Sequence, residues 1–356
     1  MAIIGDSLFE RQAEALFVTL PKIHRTEKSR KIGRDQVLHL KALKLSLVAI
    51  LTLSVCVVSL YLIDRERFYS NYRCWQQAVT LSSCFRQGHF DFVADLDGAR
   101  YEGNTGNFVD RHIFFFGAFE KPVLYFLRDT MKSAYSNNGV FLDIGANTGQ
   151  HSLFMSKYAK EVHAFEPWAP VIKRFRRMVE INHIKNIVIY PFGLGEENSK
   201  KPFYRPPDNN LGTGSYVEGF KKDNSYEGEL EIRTGDDALE NAGVTSVALI
   251  KMDIEGFERP VLKGLRRTLQ LHRPIVEFEL STNPKSPVSI KSKDELASLF
   301  PEAYEFLVFS DKNDASTGAY FLEPISQILR FDRAEQYDMV AYPIEKKKNV
   351  FTKGPP

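Results

Sequence analysis

The run Gly139-Val-Phe-Leu-Asp-Ile-Gly-Ala-Asn-Thr-Gly-Gln-His-Ser152, followed by an apolar segment that ends on Glu166-Pro167, constrains this chain more than any other feature. It reads as a buried strand, a glycine loop, a helix start and a second strand closing on an acid. Such a unit makes a crevice for an adenosyl group at the carboxyl ends of parallel strands. A dinucleotide fingerprint would run Gly-x-Gly-x-x-Gly, so that backbone approaches a pyrophosphate at the helix N-terminus. Here the glycines are Gly145 and Gly149, Asn147 stands two after Gly145, and Asp143 brings a carboxylate beside the loop. A carboxylate there repels pyrophosphate and suits a cation. S-adenosylmethionine has a sulfonium, an ammonium and no phosphate, so the loop favours it over NAD. Glu166 lies about twenty residues beyond the loop, where an acid takes ribose hydroxyls as donors. The expected cofactor-binding set is Asp143, Gly145, Ala146, Asn147, Gly149, His151, Ser152, Glu166, Pro167 and Gly193. The bland alternative, an ordinary strand–turn–helix with Asp143 and Glu166 solvated, needs loop, acid and spacing to coincide by chance.

Three segments carry a resemblance to a known family: Phe141-Leu-Asp-Ile-Gly-Ala-Asn-Thr-Gly149, His163-Ala-Phe-Glu-Pro167 and Ile250-Lys-Met-Asp-Ile-Glu-Gly-Phe-Glu258. Weaker matches are Gly117-Ala-Phe-Glu120 and Gly212-Thr-Gly-Ser215. From Val140 to Leu280 the chain resembles the FkbM-type methyltransferases, a branch of the S-adenosylmethionine-dependent class I fold. The resemblance implies a fold, a cofactor and a reaction type. The acceptor varies across such families and is not implied.

With 356 residues, 43% of them apolar, the chain can build one substantial domain plus appendages. A net charge of +2 suggests no polyanion-binding role, and no nucleic-acid partner is expected. Three cysteines, Cys56, Cys74 and Cys84, make neither a disulfide framework nor a zinc cluster. Leu45 to Ile63 is an uncharged, mostly apolar run. As a helix it would come close to spanning a hydrocarbon core of about 30 Å. Lys22, Arg25, Lys28, Arg30, Lys31, Arg34, Lys41 and Lys44 precede it, whereas Asp64-Arg-Glu-Arg67 follows it. The positive-inside rule then predicts a signal-anchor with a cytosolic N-terminus and a lumenal catalytic domain in the Golgi or endoplasmic reticulum. A cleaved signal peptide would start nearer the N-terminus and be shorter. The absence of an Asn-x-Ser/Thr sequon argues mildly against a lumenal domain without outweighing the charge asymmetry. In such a compartment Cys74 and Cys84 either pair or stay as two thiols.

The organisation read from the sequence is a basic tail over 1–44, a transmembrane anchor over 45–63 and a stem and lead-in over 64–115. A catalytic domain follows over 116–345, with a disordered tail over 346–356. Val123, Leu127, Met131 and Ala134 at helical spacing predict a helix over Phe119–Ala134. Strands are expected at Val140–Ile144, Val162–Phe165, Ile187–Tyr190, Val247–Met252 and Ile275–Leu280. The intervening helices run from about Thr148 to Ala159 and through Val171, Phe175, Met178 and Ile181, and Pro260 falls in the first turn of a third. This alternation predicts an α/β fold, a Rossmann-like, mostly parallel sheet. Tyr304–Phe309, with Ala319–Leu322 or Met339–Tyr342, would finish it as an antiparallel hairpin. The polar insertion from Gly195 to Asn224 either closes over the acceptor or is a surface excursion.

Methyl transfer from a sulfonium needs acceptor oxygen, methyl and sulfur held nearly in line. An alcohol acceptor must also lose its proton. Asp253 and Glu255, just past the fourth strand, are the expected catalytic residues, with helix capping as the alternative for Glu255. Lys251 shares a face with Asp253, and pairing between them is the plainer account. Glu277 and Glu279 also share one face, and one of them is expected to reach the acceptor. Glu258 is read as a first-turn acid. His151 and His163 are read as packing residues rather than bases. No spacing requires a metal; one would need Asp253, Glu255, Asp236 and Asp237 to converge. The sequence thus predicts a membrane-anchored O-methyltransferase for a glycan, lipid or small metabolite. The runner-up is a scaffold that binds the donor and transfers nothing.

Overall fold

The computed structural model describes residues 89–325 and 329–350. The chain divides into two units, residues 1–65 and 66–356, and the described residues all belong to the second. The basic tail, the Leu45–Ile63 run and the three cysteines lie outside the described residues. Among the described residues no helix is long and apolar enough to cross a membrane.

A hairpin of β1 (Asp91–Leu96) and β2 (Ala99–Asn104) turns at Asp97-Gly98, both left-handed, and leads into helices α1 (Phe108–Phe116) and α2 (Lys121–Tyr135). Then come β3 (Val140–Ile144), α3 (Gln150–Met155), β4 (Glu161–Phe165), α4 (Ala169–Ile181) and β5 (Ile187–Tyr190). A side sheet holds β6 (Gly193–Gly195), β7 (Ser199–Arg205) and β8 (Ser225–Thr234). The chain continues through α5 (Gly235–Asn241), β9 (Leu249–Met252), α6 (Glu258–Gly264), α7 (Arg266–His272) and β10 (Ile275–Thr282). It ends with α8 (Lys293–Ser298), β11 (Tyr304–Phe309), β12 (Leu322–Pro324) and β13 (Glu335–Pro343).

The main sheet runs β12-β11-β13-β10-β9-β3-β4-β5. β10, β9, β3, β4 and β5 are parallel, and β13, β11 and β12 add antiparallel. From β3 the chain proceeds outward to β4 and later returns on the other side to β9. That reversal opens a crevice at the carboxyl ends of β3 and β9.

Alternation along the central strands builds two cores. Phe141, Leu249, Ile275 and Val340 face α2 and α3, while Leu142, Ile144, Ile250, Met252, Val276 and Phe278 face the other side. The first face turns polar toward the strands' carboxyl ends, because the register places Asp143, Lys251 and Glu277 in one row. Lys251 and Glu277 are 3% and 2% exposed, so this row is a buried ionic layer.

Three expectations shift. The segment read as lead-in is part of the body: Tyr101 and Ile113 are fully buried. Asp110 of α1 accepts from Tyr101 Oη at 2.8 Å, Asn104 N at 2.9 Å and Arg174 Nη2 of α4 at 2.7 Å. Helix α3 is shorter than expected because Asn186 Nδ2 captures the Ser156 and Ala159 carbonyls, ending the helical ladder. The chain also stays ordered past residue 345, in a 3₁₀ turn over Ile344–Asn349. Lys346 Nζ lies 5.3 Å from the Tyr135 ring centre, and Lys347 pairs with Glu305 at 2.9 Å. A lysine run reads as solvated, but these stems pack on aromatic and acidic partners.

Removing the Asp110 carboxylate strands a buried phenol, a backbone N–H and a guanidinium together. Asp110→Ala should therefore lower unfolding stability by about 3 kcal/mol. The urea midpoint of the variant against wild type measures it.

Candidate active site

The crevice is a cavity of about 660 Å³, inside the range of roughly 300–1,000 Å³ typical of small-molecule sites. Its floor is the loop after β3. Gly145 has φ +83°, and a Cβ there would stand 1.8 Å from the Asp253 carbonyl oxygen, so only glycine lets β3 and β9 end side by side. Gly149 packs against the Phe175 ring, which a Cβ would meet at 2.0 Å.

The loop's amides are already used. Gly145 N and Ala146 N both donate to the Phe165 carbonyl, at 2.9 and 3.1 Å. Asn147 N donates to Glu166 Oε2 at 2.9 Å, and Gly149 N to Ala146 O at 2.8 Å. A pyrophosphate cradle needs such N–H groups free. Glu166 also accepts from Trp168 N at 2.9 Å. Its remaining lone pairs are available to hydroxyl donors in the cavity it lines. Burial pushes its carboxyl up to about 7 against the pull of the two backbone donors.

The opposite end is acidic. Asp253 Oδ2 accepts from Lys251 Nζ at 3.2 Å, while Oδ1 is buried without a hydrogen bond. Glu255, in left-handed backbone at φ +52°, lies 3.8 Å from Lys221 Nζ. Gln336 Nε2 donates to Glu255 at 3.3 Å and to Glu279 at 2.5 Å. Burial, then the Asp253 charge, raises the Glu255 carboxyl to about 8. Glu120 also lines this end, with φ +48°. The Gln150 side chain brackets the preceding residue, accepting from Phe119 N at 2.6 Å and donating to Phe119 O at 2.9 Å. Burial lifts Glu120 well above the ordinary carboxylate range. His151 Nε2 lies 3.5 Å from its carboxylate, and burial holds the imidazole well below its usual range.

Of the predicted cofactor residues, Gly145, Ala146, Asn147, His151, Glu166, Pro167 and Gly193 line the cavity. Asp143, Gly149 and Ser152 do not; Asp143 is fully buried beneath the loop and accepts from Ser152 Oγ at 2.6 Å. Asp143 is therefore a floor residue facing Lys251, not a lip, because strand alternation turns it inward. Both predicted catalytic acids, Asp253 and Glu255, line the cavity together with Lys251 and Glu279. Glu255 caps nothing; Glu258 does, accepting from Gly256 N at 2.8 Å, and it is buried rather than a surface acid. Asp236 and Asp237 sit elsewhere, on Thr268 and Asn198. His163 is structural, bonded to Tyr190 Oη at 2.9 Å.

The polar insertion forms one wall. Asn210, Gly212, Tyr216 and Lys222 line the cavity. The insertion is tied down by Phe108 N donating to Asn209 O at 2.8 Å and Ser215 Oγ to Glu255 O at 2.7 Å. Sequence reasoning missed Glu120, Trp168 and Gln336 as lining residues, and reached Tyr216 only as part of the insertion. Glu120 had a signal in the Gly117-Ala-Phe-Glu120 match.

Residues 143–315 match the model of the methyltransferase FkbM domain. This chain carries an FkbM methyltransferase domain. The FkbM domain is similar to the hexuronic acid methyltransferase AglP of Haloferax volcanii, with 30% identity over 161 residues, 44% of this chain and 63% of that protein. Methyltransferase 1 of Beauveria bassiana is 26% identical over 149 residues, 37% of this chain and 60% of that protein. The chain thus spans less than two thirds of the length of either relative. Among solved structures, an FkbM methyltransferase from Methylobacillus flagellatus aligns with a TM-score of 0.35 and 18% identity, over 65% of this chain and 53% of that one. A putative methyltransferase from Streptococcus mutans in complex with SAH aligns at 0.35 and 12%, over 62% and 95%.

Gly145→Ala forces a side chain into the Asp253 carbonyl, whereas Gly243, at φ +69°, has open space around it. Gly243→Ala should cost only the left-handed penalty of about 1–2 kcal/mol. Gly145→Ala should cost clearly more and leave little folded protein, as a thermal-melt comparison of the two variants would show.

Proposed function

We propose that this chain is an S-adenosylmethionine-dependent methyltransferase that methylates an oxygen of a glycan acceptor. The observation that carries the reading is the division of labour in the cavity. Loop amides are spent on protein acceptors, Glu166 offers a carboxylate to hydroxyls, and the far end gathers carboxyl groups. When bound, S-adenosylmethionine supplies an electrophilic methyl on a sulfonium. Glu166 accepts the ribose hydroxyls, and Ala146, Asn147 and Pro167 give the nucleoside its bed. Phe165, Trp168 and Tyr216 supply aromatic wall. Lys251, neutralised by the acids around it, holds Asp253 in place. The Asp253 end fixes the acceptor oxygen and receives its proton. The insertion shields the reacting centre from water.

The glycan acceptor is supported by the hexuronic acid named for the archaeal relative. The cations Arg111, Lys221 and Lys222 on the cavity wall are compatible with an acidic sugar. Anchoring through Leu45–Ile63, with the catalytic unit in the lumen, rests on sequence pattern alone. Protease digestion of sealed microsomes tests it: cleavage of the catalytic unit from the cytosolic side overturns it.

Isothermal titration of the full chain with S-adenosylmethionine should show one binding site per chain; no heat at millimolar ligand would sink the proposal. Transfer of labelled methyl to uronic-acid glycans, but not to their fully O-methylated forms, separates an enzyme from a binding scaffold. Donor affinity should rise with pH through about 7, because ribose hydroxyls favour the ionised Glu166 and binding below that pH releases its proton. Glu166→Gln should weaken donor binding about tenfold, the loss of one charge-assisted hydrogen bond, and flatten this pH dependence. Titrations at pH 6 and pH 8 check both effects.

A further inference from the structure

We propose that the acidic end of the cavity is a binding site for a hard divalent cation, such as Mg²⁺, Mn²⁺ or Ca²⁺, held by Asp253, Glu255 and Glu279. One carboxylate oxygen from each lies within 4.8 Å of the others. Oxygens sharing one octahedral ion stand about 3–5 Å apart, given metal–oxygen distances of roughly 2.0–2.5 Å. The three groups thus bracket one ion without backbone movement. The set comes from two separate segments, the turn after β9 and the strand β10, as oxygen-rich sites do.

Two buried groups outside the trio point the same way. Glu277 is 2% exposed, and its Oε2 has no hydrogen-bond partner. It stands two residues before Glu279 on the same face of β10, in register with Lys251. His151, 6% exposed, lines the cavity with Nε2 unbonded beside Glu120. An unpaired carboxylate and an unpaired imidazole nitrogen are costly at such burial. Both are relieved where a cation and its bound water supply positive charge and donors.

The charge inventory makes the same demand. Asp143, Asp253, Glu255, Glu277, Asp338 and Glu120 all interact with the buried cation Lys251, and Glu279 adds its charge beside Asp253 and Glu255. Asp338 stands opposite Glu279 in the β10–β13 register. Gln336 at present bridges Glu255 and Glu279 through one amide hydrogen-bond donor, while its Oε1 accepts from Lys221 at 2.8 Å. Rotating that amide by half a turn would present an oxygen to the same place. Three protein oxygens leave the remaining coordination positions for water or acceptor oxygens, at the end of the cavity opposite Glu166.

The test needs neither donor nor acceptor, so it stands apart from the methyltransferase reading. The full chain is stripped with EDTA and titrated with MnCl₂, and free Mn²⁺ is followed by electron paramagnetic resonance. One Mn²⁺ per chain should bind, with Mg²⁺ or Ca²⁺ competing. Asp253→Asn and Glu279→Gln should each weaken binding at least tenfold, and Glu295→Gln, on an outer helix, should leave it unchanged. Gln336→Glu, which adds a fourth carboxylate, should tighten it and guards against loss by misfolding. No bound Mn²⁺ in the wild-type chain overturns the proposal. So does undiminished binding in folded Glu279→Gln, or weaker binding in folded Gln336→Glu.

Discussion

A single ammonium group, Lys251 Nζ, sits where three strands present carboxylates to one another. It is almost completely buried, in register with Asp143 on one side and Glu277 on the other, and it holds Asp253 by a direct contact. Burial alone would strip a lysine of its proton; the surrounding acids outweigh that and raise its pKa. Without this cation the row would be uncompensated negative charge in a low-dielectric layer, a state that costs several kcal/mol per ion. Lys251 is thus a condition for placing acids at the strand ends at all. The geometry of the cavity's acidic end follows from it.

The chain holds the site in a strained backbone. Glu120, Asn147 and Glu255 all adopt positive φ, and all three line the cavity. Each such residue costs about 1–2 kcal/mol relative to ordinary backbone, so surrounding contacts must determine them. They do: the Gln150 clamp on Phe119 fixes Glu120, the Glu166 carboxylate receives Asn147 N, and Ser215 binds the Glu255 carbonyl. The α1–α2 connection, the end of β4 and the insertion each contribute one of these contacts. That explains why an insertion resembling a surface excursion is integral to the body.

The parallel strands were legible because buried strands are continuous apolar runs, and the limits at Val140–Ile144 and Ile187–Tyr190 coincide with those expected. The glycine loop and Glu166 were legible because their chemistry is local in sequence. Gln336 was not, and Glu120 only through the weak Gly117-Ala-Phe-Glu120 match, since they reach the cavity from the last strand and from the connection between α1 and α2, and periodicity carries no information on such convergence. Asp143 shows a different limit. Its proximity in sequence to the loop suggested a lip, but in a strand the neighbour of an outward residue points inward.

That inward turn changes why this crevice prefers one adenosyl ligand over another. Repulsion by Asp143 at the rim is not available, because the carboxylate lies beneath the floor. Discrimination comes instead from hydrogen-bond arithmetic. Each amide from Gly145 to Asn147, and that of Gly149, already donates to a protein oxygen, two of them to the same Phe165 carbonyl. A diphosphate would have to displace those acceptors, leaving Phe165 O without its two loop donors and Glu166 Oε2 without Asn147 N, a loss of about 1–3 kcal/mol for each buried group left unpaired. A nucleoside whose polar demands are ribose hydroxyls and a positive charge displaces nothing. It uses the free lone pairs of Glu166 and the negative field of the strand ends. Asn147 at the position of a second loop glycine therefore acts through its committed N–H rather than through bulk alone.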